Sequence, residues 1–188
     1  MLAATAIKKP IVLFLSQLHL KKGVDRFIQA AAKVLESQEA RFIIAGNGEQ
    51  EYEKHLQELV RQLNIHAHVE FVGFVEGDRK TALLRASDLY VLPTSQENFG
   101  LVFPKTIACG IPVITTRSVD IWPELEESGG ALIIDEDANS IAKTITTHLE
   151  NNEQRASIGS AGKVWVNNTF SGDAVVNRYI QLYRQMIN

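Results

Sequence analysis

Residues 11–50, IVLFLSQLHLKKGVDRFIQAAAKVLESQEARFIIAGNGEQ, decide the fold. The run Ile11–Leu18 is almost continuously apolar and rich in β-formers, as a strand buried on both faces reads. Gly23–Glu36 follows, with Phe27, Ala31, Val34 and Leu35 on one side at the spacing of an amphipathic helix. Arg41–Gly46 then repeats the strand signature. A buried strand, a helix and a second buried strand in succession form the unit of a parallel sheet covered by helices.

Outward from that unit the alternation continues. Strands are predicted at Val69–Val75, Leu89–Thr94, Pro112–Thr116 and Ala131–Asp135, with LYVL and PVI as the centres of two of them. Helices are predicted at Gln50–Leu63, Glu76–Ala86, Gly100–Cys109 and Ser140–Leu149, each joining one strand to the next. The expectation is an α/β fold with a doubly wound, six-stranded parallel sheet. After Glu150 the pattern is helical only. It ends in Gly172–Ile187, where Val175, Val176, Tyr179, Ile180, Leu182 and Tyr183 supply an apolar face. Residues 1–10 read as an N-terminal segment or linker remnant, and 11–188 as a single domain including the terminal helices.

Composition narrows the function classes. With 45% apolar and 22% charged residues over 188 positions, the chain has the makings of an ordinary globular core. The net charge is −3, and no Lys or Arg falls between Ser118 and Ala142 while seven acidic residues do. A duplex or an anionic membrane calls for a basic face, so nucleic acid is excluded as a partner. Cys109 is the single cysteine, so no intrachain disulfide can form. No cleavage site follows the first apolar run, and no stretch approaches the ~20 apolar residues of a membrane span. These features point to a cytoplasmic protein.

Open parallel sheets bind ligands beyond the carboxyl ends of their strands. That rule selects the loops Ser16–Gly23, Gly46–Gly48, Gly73–Gly77, Pro93–Gly100, Thr115–Asp120 and Asp135–Asn139. Gly46-Asn47-Gly48 reads either as a phosphate cradle of free backbone amides or as a tight turn. Lys21 and Lys22 open a helix against its dipole, which is locally unfavourable; they suit an anionic ligand or form a solvated charge pair. Glu97 either complements the next helix N-terminus or accepts hydrogen bonds from hydroxyl groups of a ligand. The five histidines have no metal-ligand spacing, no serine nucleophile elbow is present, and the first loop lacks the Gly-x-Gly-x-x-Gly of dinucleotide-binding dehydrogenases.

Taken in order, FLSQLHLKKGVDRFIQA, FIIAGNGEQEYEKHLQELVRQLNI, VEFVGFV with LLRASDLYVLPTSQENFG, and CGIPVITT resemble the C-terminal lobe of GT-B glycosyltransferases, the glycosyl transferases group 1 family. FSGDAVVNRYIQLY is similar to the C-terminal helix that folds back toward the other lobe. The resemblance implies a Rossmann-like lobe that holds a nucleotide-diphosphate sugar and transfers the sugar with retention, in polysaccharide or glycoconjugate assembly. It implies that Lys22 binds the diphosphate, Gly46–Gly48 approach the nucleotide, and backbone at Phe74 and Val75 meets the base. Glu97 is then the residue that positions the donor sugar, and the amides of Phe99, Gly100, Leu101 and Val102 cover sugar and diphosphate. No metal and no cofactor are implied, since the nucleotide sugar is a substrate.

The chain departs from the family pattern at three places. Lys105 stands where a second glutamate binds the ribose, Gln17 where an arginine faces the diphosphate, and Val119-Asp120 where two glycines are usual, with Glu124 nearby. Lys105 is expected to reach the diphosphate and offset Gln17. The alternative is a non-catalytic, degenerate nucleotide-sugar-binding or regulatory domain. The N-terminal acceptor lobe with its usual catalytic histidine is expected to be missing, making the chain a fragment, a truncated gene product or part of a split enzyme. Any membrane association would run through that lobe only.

Overall fold

The computed structural model describes residues 9–187, so most of the expected N-terminal segment lies outside the described residues. Six strands form one all-parallel sheet: β1 (Ile11–Leu15), β2 (Arg41–Ala45), β3 (Val69–Gly73), β4 (Leu89–Leu92), β5 (Val113–Thr116) and β6 (Ala131–Ile134). Their order across the sheet is β3-β2-β1-β4-β5-β6, with β1 paired to β2 from Ile11↔Arg41 and to β4 at Val12↔Leu89. The chain therefore reverses its direction of winding between β1 and β4, the place beside which open parallel sheets bind ligands.

Helices cover both faces, as the continuous apolar strands require. They are α1 (Val24–Leu35), α2 (Gln50–Gln62), α3 (Gly77–Ala86), α4 (Val102–Ala108), α5 (Trp122–Glu127), α6 (Ala138–Glu150), α7 (Asn152–Phe170) and α8 (Gly172–Ile187). Every residue of β1, β4 and β5 is buried. On the α1 side Phe14, Phe27 and Phe42 pack in series, tilted and then edge-on, ring centroids 5.6 and 5.7 Å apart. Buried polar groups are tied to the carboxyl ends of neighbouring strands. Tyr90 donates its hydroxyl to Leu15 O at 3.0 Å, Thr115 to Leu92 O at 2.9 Å and Thr116 to Thr94 O at 2.5 Å. Each satisfies a donor whose burial otherwise costs stability.

Several expected boundaries move. β1 stops at Leu15 instead of Leu18; beyond it Ser16 N still donates to Ala45 O, and Leu18 meets the β2 loop only through an isolated bridge to Gly48. The helix expected from Gly100 starts at Val102, since Gly100 is left-handed (φ 61°) and cannot begin a right-handed turn. α6 does not join two strands: it follows the last one and packs back on α1. The connection from β5 to β6 is instead α5, a helix of six residues not anticipated from the sequence. Among the described residues no helix is long and apolar enough to cross a membrane.

Candidate functional site

The candidate site is built by splicing four loops backbone to backbone. The loop after β1 ends in a single 3-10 turn, Leu20–Lys22, capped by His19, whose Nδ1 accepts from Lys21 N. Lys21 O in turn accepts from Ser95 N at 2.8 Å and from the Thr94 hydroxyl at 2.9 Å, which locks this loop to the one after β4. The β4 loop is fixed from its other side, Glu97 N donating to Ser118 O and Asp120 N to Glu97 O. The departure at Val119-Asp120 thus forms an isolated parallel bridge to Glu97.

Side chains follow from that framework. Lys22 Nζ donates to Glu97 Oε2 at 2.7 Å and to Gln96 O at 3.3 Å, while Lys21 Nζ donates to Gln96 Oε1 at 2.7 Å. The Lys22 and Glu97 side chains are only 18% and 22% exposed, so solvent and salt screen their attraction less than that of a surface pair. With Gln17, His19 and Asn98 they line a recess of about 310 Å³.

Beside it lies a second recess of about 350 Å³, walled by Leu15, Ser16, Gln17, Ala45, Gly46, Asn47, Phe74, Val75 and Lys80. Gln17 belongs to both walls, so the two recesses adjoin. Val75 is buried and Phe74 is 61% exposed, its ring at the rim. Burial and the charge of nearby Lys105 hold the Lys80 ammonium below the usual lysine range. Lys105 is exposed on α4, so its charge acts on the Lys80 side of the groove.

In the Gly46-Asn47-Gly48 turn the two glycine amides are already engaged. Gly46 N donates to Gly73 O and Gly48 N to Glu53 Oε1 at 2.7 Å. Its glycines serve close approach: a Cβ on Gly46 would lie 1.8 Å from Ser16 O, and one on Gly48 2.1 Å from Leu18 O. Beyond the ion pair, Leu101 is exposed, and the Phe99 ring meets Phe170 edge-on at 5.8 Å, which meets Trp165 at 5.4 Å. The loop carrying Glu97 is thereby braced by the end of α7.

Gln17, Lys22 and Glu97 therefore share one recess, and Gln17, Gly46, Phe74 and Val75 the next. Gly48 packs on the β1 loop and Gly100 against Glu97 Cγ, on the same edge of the sheet. Lys80 escaped sequence reasoning. Its signal was available: like Lys22, it is a cation near a helix start, opposing the dipole.

The profile of the family described as "Glycosyl transferases group 1" matches residues 3–165. The chain is 31% identical over 179 residues to an N-acetyl-alpha-D-glucosaminyl L-malate synthase of Bacillus anthracis, covering 94% of this chain and 46% of the relative. It is 29% identical to an uncharacterised glycosyltransferase of Methanocaldococcus jannaschii, covering 93% and 44%. Sucrose-phosphate synthase from Thermosynechococcus elongatus superposes with a TM-score of 0.84 at 25% identity, covering 96% of this chain and 46% of that one. The C-terminal domain of a glycosyl transferase group 1 family protein from Francisella tularensis gives 0.78 at 22%, covering 88% and 89%. A protein of Anabaena solved with UDP-glucose gives 0.79 at 23%, covering 95% and 49%. The chain spans about half the length of the curated relatives it matches.

Proposed function

The chain belongs to the glycosyl transferases group 1 family, and from that premise we propose that it is a donor-binding lobe, holding a nucleotide-diphosphate sugar for transfer with retention. The observation that carries this reading is the Lys22–Glu97 pair, set at the sheet's switch point beside an apolar recess and joined to it by Gln17. An ammonium and a carboxylate held 2.7 Å apart suit a ligand with adjacent anionic and hydroxyl-bearing parts. The diphosphate takes Lys22 in place of Glu97, and Glu97 turns its freed acceptor capacity to sugar hydroxyls. The amides of Phe99 to Val102 supply further donors. Charge growing on the leaving diphosphate is met by fixed dipoles and a cation, the kind of preorganised stabilisation that lowers the barrier most in many group transfers. No metal is required for that step.

Transfer itself needs a second lobe carrying the acceptor site. The relatives have about twice this length, and α8 offers an unburied apolar face suited to contact with that lobe. The isolated chain binds donor without turning it over. Gln17 and Lys105 are read as a compensating exchange of charge, since Lys105 acts on Lys80, which shares a wall with Gln17.

Calorimetric titration with uridine, guanosine and adenosine diphosphates tests the reading. Micromolar binding of at least one supports it; millimolar or absent binding of all three supports the non-catalytic alternative, which Gln17 and Lys105 favour. Gln17→Arg combined with Lys105→Glu is expected to tighten binding by roughly tenfold or more. Full tightening by Lys105→Glu alone sinks the compensation.

A further inference from the structure

We propose that Lys80 sets the base preference of the groove, favouring a base with a carbonyl oxygen over its counterpart with an amino group at the same ring position: uracil over cytosine, and guanine over adenine. The inference rests on the reading above, that the groove takes a nucleoside diphosphate.

The apolar recess has the walls a planar ring requires, with Leu15, Ala45 and Val75 lining it and the exposed ring of Phe74 at its rim. Its hydrogen-bonding groups then decide which ring. The polar side chains lining it are Ser16, Gln17, Asn47 and Lys80. A hydroxyl and two amides each donate and accept, so they adapt to either class of base. An ammonium has three donors and no acceptor. Among the described residues, Lys80 is thus the one lining side chain with a single hydrogen-bonding sense.

The recess does not satisfy it in advance. Among the described residues no carboxylate lines the walls, and both influences on Lys80, desolvation and the Lys105 charge, act against its ammonium. A carbonyl oxygen brought into the recess relieves that cost by accepting from Nζ. A base in the same pose that presents an exocyclic amino group there sets donor against donor and leaves the half-buried ammonium without that acceptor, the kind of mismatch by which sites reject close analogues. Uracil and cytosine differ on this edge by an oxygen against an amine, with the adjacent ring nitrogen changing from N–H to acceptor; guanine and adenine differ in the same way, with an added 2-amino group on guanine.

The test is calorimetric titration of the intact chain with UDP, CDP, GDP and ADP, in wild type, Lys80→Met and Lys80→Arg, with thermal melting to establish that each variant is folded. In wild type UDP is expected to bind roughly tenfold or more tighter than CDP, and GDP likewise tighter than ADP. Lys80→Met should bring both ratios to within about threefold, and Lys80→Arg should preserve them, a guanidinium also being donor-only. Equal affinity within each pair in wild type, or ratios untouched in Lys80→Met, overturns the proposal while leaving the donor site standing. Failure of all four nucleotides to bind removes the donor site, and the base preference with it.

Discussion

The loops at the carboxyl edge of the sheet and the last helix use their residues in opposite ways. Around the groove, backbone is bonded to backbone: Ser16 to Ala45, Leu18 to Asn47, Ser95 to Lys21 and Glu97 to Ser118. Helix α8 has no buried residue, and Val176, Tyr179, Ile180, Leu182, Tyr183, Met186 and Ile187 are all exposed. One region is finished within this chain and needs only a ligand. The other carries the sequence of a buried helix without a surface to bury it, and contiguous apolar patches of that kind mark contact sites. Rigidity at the groove is what lets a few side chains act at fixed positions.

Substitutions that attack the splice should therefore cost most. Gly46→Val places a branched side chain 1.8 Å from Ser16 O on backbone at φ 144°. A loss on the order of 4 kcal/mol or outright unfolding is expected, read by urea denaturation. Retention of wild-type stability would mean that the loops are not joined as described.

Lys22→Ala should act on ligand more than on fold. Removing one charge-assisted partner is expected to weaken nucleoside diphosphate binding by about 1.5–3 kcal/mol, roughly tenfold to a hundredfold. Some melting temperature should be lost too, because Glu97, only 22% exposed, is left without its cation. Comparable affinity in Lys22→Ala and wild type would detach the cation from the diphosphate.

Phe170→Ala probes the seam between the two regions. Losing the edge-on contacts to Phe99 and Trp165 should cost about 1–3 kcal/mol. It should also speed amide hydrogen exchange at Phe99–Val102, while exchange in β1 stays slow. The smallest effect belongs to truncation after Ser171. Removing α8 should change stability by less than about 1 kcal/mol, because no residue of that helix is buried. It should reduce self-association at high concentration, checked by sedimentation. A loss of several kcal/mol would show that α8 is packed after all.

The sheet was legible because both of its faces are covered. IVLFL, FIIA and LYVL announce themselves as continuous apolar runs whatever surrounds them. Helix α5 was not legible, since six residues starting at Trp122-Pro123 and burying only Leu125 are too short to show a period. Within the groove, Gln17, Lys22 and Glu97 could be found from loops following strands. Lys80 carried only the signal shared by any cation near a helix start; that it lines the recess with the β1 and β2 loops shows only in the fold. The Gly46-Asn47-Gly48 turn shows the converse: its glycines were visible, but the donation of Gly46 N to Gly73 O is a tertiary fact. The α8 stripe was equally plain in sequence, while its lack of a covering surface emerged only from burial.

The central claim is that one preformed groove at the β1–β4 crossing holds a nucleoside diphosphate between Lys22 and the Phe74–Val75 wall. Backbone amide shifts followed by NMR during titration with UDP and GDP test it most directly. The account predicts that perturbed amides cluster at residues 16–23, 46–48, 74–75 and 95–102, with α8 silent. Shifts confined to α8 or to the groove of Arg117, Lys143 and His148 along β6 and α6, or spread without focus, would contradict it.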